Sequence, residues 1–278
     1  MKLVYICTNF NNSAFTVAAV ASLAKNHGHD LRVFIVDNAS RVEEVDLLRA
    51  LARDNPVVRL IVNVDNVGYF AGLNIGIAAA RREDPLATWM VVGNNDLEFP
   101  ANFCDCIERQ RSEYKQFSVI SPDVVTLDGE HQNPHVISDI STIREIFYDL
   151  YYSNYWLGLL IYKTAKMLPR VTRRGDEDHW QTAQPIYQGH GSCYLLTPKF
   201  FSQFEALWAP TFMMSEEVFL SLQLKAVGEQ VFYSPDIRVT HHWHGSLQDV
   251  PSRSRWNMAR DAHHEYRKHV KVFKGARR

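Results

Sequence analysis

The sequence predicts an α/β fold: a mostly parallel sheet flanked by helices. Two observations carry that expectation. Short apolar runs rich in β-branched and aromatic residues alternate with segments of helical period. The runs also end on polar residues, which puts clusters of Asn, Asp and Thr at strand carboxyl ends, where open α/β sheets bind ligands.

The elements follow in order. Leu3 to Thr8 (LVYICT) is the first strand, and a helical pattern runs from Ser13, a capping residue type, to Gly28. Arg32 to Asp37 is the second strand, followed by a helix through Val45, Leu48 and Leu51. Val57 to Asn63 and Thr88 to Val92 supply two more strands, with a helix from about Phe70 to Arg81 between them. Strands joined by helices imply parallel pairing through right-handed crossovers. A further helix is expected near Pro100. From about Asp123 to Gln184 the pattern is irregular, with an aromatic block (IFYDLYYSNYWLGLLIY) and a charged loop (RVTRRGDEDHW). Regular structure returns with PIYQGHGSCYLLT, a helix from Ser215 to Gly228, and the strands QVFYSP and IRVTHH.

Composition narrows the function classes. A length of 278 residues suits one large domain, and 46 % hydrophobic against 22 % charged residues excludes a disordered chain. A net charge of −1 gives no electrostatic reason to expect nucleic acid as a partner. From Pro251 onward, nine Lys or Arg face only Asp261 and Glu265. Trp256, Met258, Tyr266, Val270 and Phe273 in that basic segment, 251–278, fit a packing helix or an amphipathic contact with an anionic membrane. The start, MKLVYICTNFNN, lacks a signal peptide's apolar stretch, and no run nears the roughly 18 apolar residues of a membrane span. The expectation is a cytoplasmic protein, at most peripheral to the inner face of the cell membrane, with Cys7, Cys104, Cys106 and Cys193 reduced. Cys104 and Cys106 would point to different helix faces, which argues against zinc.

Three polar clusters mark the candidate site: Thr8 and Asn9, Asp37 and Asn38, and Asn94, Asn95 and Asp96. Singly, each suits a turn or a helix cap. Together, at one edge of a sheet, they point to a ligand crevice. It is not a dinucleotide pocket, because CTNFNNS after the first strand holds no glycine where G-x-G-x-x-G is required. A Walker loop and a G-x-S-x-G elbow are missing as well.

In order and spacing, TNFN, VDNAS, NVGYFAGLNIGI, GNND, GHGSCYLL, SEEVFLSLQLKAVG and HHWHGS resemble glycosyltransferase family 2. The branch of bacterial rhamnosyltransferases and galactofuranosyltransferases is the most similar. The resemblance covers roughly residues 3–120 and 186–260. It implies a GT-A domain over 1–250, with 123–185 as a variable acceptor-side stretch. It also implies inverting transfer from a nucleoside-diphosphate sugar, dTDP- or UDP-linked, to a glycan or lipid-linked glycan in bacterial surface polysaccharide synthesis. A nucleotidyltransferase and a non-catalytic nucleotide-sugar-binding domain are the rival readings.

The resemblance assigns roles residue by residue. Thr8, Asn9, Asp37 and Asn38 would meet the base and ribose. Asn66, Gly68 and Asn74 would let backbone and a helix start approach the phosphates. Asn94, Asn95 and Asp96 would stand at the metal motif, with Asp96 holding Mg²⁺ or Mn²⁺; the family often has two aspartates there. Glu216 and Glu217 match the acidic pair, with Glu217 as the general base in an apolar setting of Phe212 and Met213. The structural alternative is a Ser215 cap with acidic residues suiting the helix dipole. His241 and His242 alternate sides on a strand, so one reaches the diphosphate or metal, and His242 is preferred.

Overall fold

The computed structural model describes residues 1–167, 175–242 and 252–272. β1 (Lys2–Asn9) is buried from Leu3 through Cys7. Helices cover both faces of the sheet, so a run of apolar residues replaces polar alternation. Alternate residues serve opposite layers. Tyr5 and Cys7 pack with Val20 and Leu23 of α1 (Ser13–Leu23), Leu48 of α2 (Val42–Asp54) and Ile107 of α4 (Phe103–Tyr114). Val4 and Ile6 face Leu73 and Ile77 of α3 (Tyr69–Glu83), Phe200 of α7 (Pro198–Gln203), and Leu220 and Leu224 of α8 (Glu216–Lys225).

β2 (Asp30–Asp37), β3 (Val58–Val62) and β4 (Met90–Asn94) join β1 in parallel, as the alternation predicts. β6 (Val119–Thr126) and β9 (Val231–His241) form a second parallel pair. Between the two groups lies β8 (Cys193–Leu196), antiparallel to β4 and β6. The strand order is β3-β2-β1-β4-β8-β6-β9-β5. The short strands β5 (Leu97–Glu98) and β7 (Gln184–Ile186) both pair antiparallel with β9. The sheet is therefore mostly parallel but mixed.

Several boundaries differ from expectation. QVFYSP and IRVTHH are one strand, because β9 takes up extra residues in a bulge between Ser234 and Arg238. Pro235 lies in that bulge, where its missing N–H costs no ladder bond. α1 stops at Leu23 instead of Gly28, and Asn26 Nδ2 then donates to Leu23 O (3.2 Å) and Pro100 O (3.0 Å). β6 continues past Asp123, and the aromatic block beyond it forms α5 (Thr142–Ser153) and α6 (Tyr155–Met167). Part of the charged loop lies outside the described residues; its Asp176–His179 portion is one 3₁₀ turn.

α9 (Arg253–His269) packs part of the basic segment against the rest of the chain. Trp256, Ala262 and Tyr266 are buried. The Tyr266 hydroxyl donates to Glu145 of α5, and Arg267 pairs with Glu145 Oε2 (2.8 Å) and Asp149 Oδ1 (2.5 Å). Phe273, from the same segment, lies outside the described residues.

Candidate active site

Strand register builds the crevice. Asn9 pairs with Asp37 across β1 and β2, and Thr8 with Asn94 across β1 and β4. The three polar clusters therefore meet at one edge, as the sheet rule requires. The innermost of them hold each other. Asn9 Nδ2 donates to Asp37 Oδ1 (2.8 Å), and Asn9 Oδ1 accepts from Thr16 Oγ1 (2.8 Å) and Asn95 Nδ2 (3.0 Å). Asp37 Oδ2 accepts from Ser40 N (2.9 Å), and Asn38 bridges Asn63 and the Gly68 carbonyl. Asn9, Asp37, Asn38 and Asn95 are buried, so these side chains shape the crevice floor. Thr8, half-buried, stands at its rim.

At the end of β4 a second group collects around Asp96. Its Oδ1 lies 3.3 Å from His241 Nε2 yet makes no aligned hydrogen bond. His241 Nδ1 faces Gln132 Oε1 (2.7 Å), and its Nε2 stands beside Asp96, with Asn94 Nδ2 at 3.2 Å. Burial pushes the Asp96 carboxyl up, but hydrogen bonding and positive charge from His241, then Asn94, pull it below the usual carboxylate range. A carboxylate oxygen without an aligned donor, next to an imidazole nitrogen, fits a divalent cation completed by substrate oxygens and water. Among the described residues no cluster of three His, Cys, Asp or Glu forms a complete metal cage.

His242, the histidine preferred on sequence, has a different partner. Its Nε2 meets Glu98 Oε2 (2.9 Å) on the α1 side, and the partner of Asp96 is His241. The two-residue strand β5 sets this phase by pairing Leu97 with His241. Trp243 to Ser246, the rest of HHWHGS, lie outside the described residues.

Asn66, Gly68 and Asn74, expected near phosphate, are engaged within the chain. Gly68 adopts φ 90°, and a β-carbon there would strike Phe212 O at 1.9 Å. Gly68 N donates to Asn66 Oδ1 (3.0 Å) and Tyr69 N to Phe212 O (3.1 Å), so these amides are bonded within the chain. Asn74 gives Nδ2 to Leu207 O and takes Leu207 N on Oδ1, both at 2.8 Å. Tyr69 N and Asn74 fasten the loop that leads from Leu207 to α8, and Asn66 braces the turn at Gly68.

That loop delivers the acidic pair. Met214 (φ 79°) and Ser215 (φ 64°) are both left-handed, and Ser215 makes no side-chain cap. Two strained residues in succession cost of order 1–3 kcal/mol each, and such strain gathers at functional sites. Glu216 turns inward and accepts Met214 N on Oε1 (2.9 Å). Burial, with help from the Glu217 charge, raises its carboxyl to about 7. Glu217 instead covers Gly191, where a β-carbon would lie 2.8 Å from its Oε1. Phe212 and Met213 are exposed, so they do not form the apolar setting expected for Glu217.

Gly191 joins the two groups. Tyr69 Oη donates to Gly191 O (2.8 Å), and Asn94 N to Ser192 O (2.8 Å). Asn94, two residues before Asp96, and Glu217 thus meet one short segment, Gly191–Ser192. Beside His241 lies a cavity of about 740 Å³ lined by Glu130, His131, Gln132, His135, Trp180 and His190. His190 is held neutral by burial and then by His135 and His241. Tyr69 and His190 lie inside recognised motifs but had no assigned role; Gln132 falls in the stretch without any motif.

Glycosyl transferase family 2 matches residues 5–173 of the chain. Among solved structures, the chain is similar to GalNAc-T7 with UDP, GalNAc and Mn²⁺ (13 % identity, TM-score 0.55, 88 % of this chain, 44 % of that one). It is also similar to residues 1–349 of S. aureus TarS (12 %, 0.53, 87 % and 60 %). A third is the mannosyltransferase PcManGT from Pyrobaculum calidifontis with GDP-Man and Mn²⁺ (11 %, 0.52, 90 % and 57 %). The chain spans at most 60 % of the length of these three. The likeness is one of fold, and that fold is GT-A-like. No curated protein matches the sequence.

Proposed function

Because the chain belongs to glycosyl transferase family 2, we propose that it moves a hexosyl group from a nucleoside-diphosphate sugar to an acceptor hydroxyl with inversion. The donor is dTDP- or UDP-linked. The motif series sets the chain beside the rhamnosyltransferase and galactofuranosyltransferase branch, acting in bacterial surface polysaccharide synthesis. The acceptor is a glycan or lipid-linked glycan at the inner face of the cell membrane. Residues 1–250 form the transferase domain, with 123–185 on the acceptor side.

One observation carries the reading: Asp96, its carboxyl held below the usual range, stands beside His241 Nε2, and Glu217 lies against Gly191 of the segment that bonds Asn94. In this scheme Thr8 and the Asn9–Asp37–Asn38 floor receive the nucleoside, and the diphosphate lies toward Asp96. Asp96 Oδ1 and His241 Nε2 would hold Mg²⁺ or Mn²⁺, which neutralises charge on the departing diphosphate. Glu217 takes the proton from the acceptor hydroxyl. The acceptor oxygen then bonds to the anomeric carbon from the face opposite the diphosphate, and the bond to the phosphate oxygen breaks with its electron pair.

A panel of nucleotide sugars, each with and without Mn²⁺, tests this by thermal unfolding, since a ligand of the native state raises its stability. The expected result is metal-dependent stabilisation by one donor, followed by transfer with inverted anomeric configuration. Stabilisation without donor turnover would leave a binding domain. No stabilisation by any nucleotide sugar would remove the proposal.

A further inference from the structure

The aromatic block that the site leaves unused forms the helical hairpin α5–α6, and its outer surface is apolar. On α5, Ile143, Ile146, Phe147 and Leu150 are exposed at helical spacing, so one ridge faces water. On α6, Trp156, Leu157, Leu160 and Met167 are exposed likewise. Apolar ridges of this kind on both helices mark an interaction face, not ordinary scatter. Trp156 is 68 % exposed and Phe147 54 %, values far from those of a packed core.

Charge names the partner. The two acidic residues of the hairpin, Glu145 and Asp149, are turned toward α9, where Arg267 and His263 hold them. The α6 ridge keeps Lys163, exposed between Leu160 and Met167. A lysine within an apolar ridge extends its stem along hydrocarbon and its ammonium to headgroups. Apolar bulk and aromatic residues with a basic residue among them, and both acids of the hairpin paired to α9, complement an anionic lipid surface. A protein partner of acidic character would complement the lysine but leave this breadth of apolar surface unmatched.

Position gives the contact a purpose. α9 packs on α5 and also borders the loop before Glu216, where Met258, Ala262 and Glu265 line a small cavity with Phe212 and Met213. We propose that the α5–α6 hairpin seats the protein on an anionic bilayer and so presents the Glu217 side of the crevice to a lipid-anchored acceptor. Only the nature of that acceptor rests on the glycosyltransferase reading; bilayer contact does not.

The test uses the full chain with vesicles of phosphatidylcholine alone or mixed with phosphatidylglycerol, read by co-sedimentation. Binding is expected only with the anionic lipid, and it should fall with added salt. Lys163→Gln should weaken it about fivefold. Phe147→Ser with Leu160→Ser should abolish it while melting temperature and donor-induced stabilisation stay unchanged. Equal binding by the serine variant, or binding indifferent to lipid charge, would overturn the proposal. So would self-association of the free chain that the serine variant abolishes, because the face would then belong to a second copy. None of these outcomes depends on donor turnover, so failure here leaves the proposed transfer reaction standing.

Discussion

Glu216 and Glu217 are chemically alike and adjacent, yet burial separates their roles. Glu216 Oε1 accepts Met214 N, and its carboxyl lies near 7, above the 4.5 of an ordinary glutamate. The folded state therefore binds a proton that the unfolded chain releases. Its stabilising contribution is complete below about 4.5 and is lost as pH rises through about 7. Glu216→Gln keeps an acceptor for Met214 and should flatten that decline, gaining roughly 1–3 kcal/mol at pH 8 by chemical denaturation. Glu217→Gln should instead lower transfer by about 10²–10⁴ with donor affinity nearly unchanged. If Glu216→Gln is the inactive variant and Glu217→Gln turns over, the base is one residue earlier. At the metal position, Asp96→Ala should abolish Mn²⁺-dependent donor binding and nearly all transfer; undiminished activity would remove Asp96 from the mechanism. Motif order named the pair and Asp96 as candidates. Which histidine stands beside Asp96 could not be read there, because alternation says only that one faces in, and the phase comes from the short strand β5.

Elements position these residues through close backbone approaches, and glycines show where. At Gly191 a β-carbon would meet only the far end of the Glu217 side chain, at 2.8 Å. At Gly68 it would meet the Phe212 carbonyl at 1.9 Å, on a backbone with φ 90°. A side chain can swing away; a backbone carbonyl within a fastened loop cannot. Gly191→Ala should therefore lower kcat about 10²-fold by displacing the base, with little change in melting temperature. Gly68→Ala should lower the melting temperature itself, since steric conflict and a left-handed backbone act together. Equal melting temperatures for the two variants would refute that contrast. The sequence offered Gly68 as a phosphate-side residue because its spacing fits a helix start. It could not show that Phe212, far along the chain, takes the first amide. Likewise Asn74 reads as a polar residue at a site, and only the fold reveals Leu207 on both of its functional groups.

At the scale of the whole molecule, the parallel half was legible because each β1–β4 unit is local in sequence, with its apolar period intact. The insertion of β8 against the grain between β4 and β6 was not, since it joins strands far apart along the chain. The tail shows the same limit. Its basic count and aromatic residues suit a membrane contact, but α9 turns Trp256, Tyr266 and Arg267 inward. Tyr266 and Arg267 both reach Glu145, which is 4 % exposed, and His263 and Arg267 reach Asp149. Cutting the chain after Ala262 removes all three partners at once and leaves a buried carboxylate uncompensated. Breaking a buried pair in this way costs about 3–5 kcal/mol, which should lower the melting temperature by roughly 10 °C. A tail that served only as a tether would leave the melting temperature unchanged. Glu145→Gln in the truncated chain should recover part of the loss, because a neutral amide does not need Arg267; a truncated chain as stable as the full one would show that α5 stands without α9.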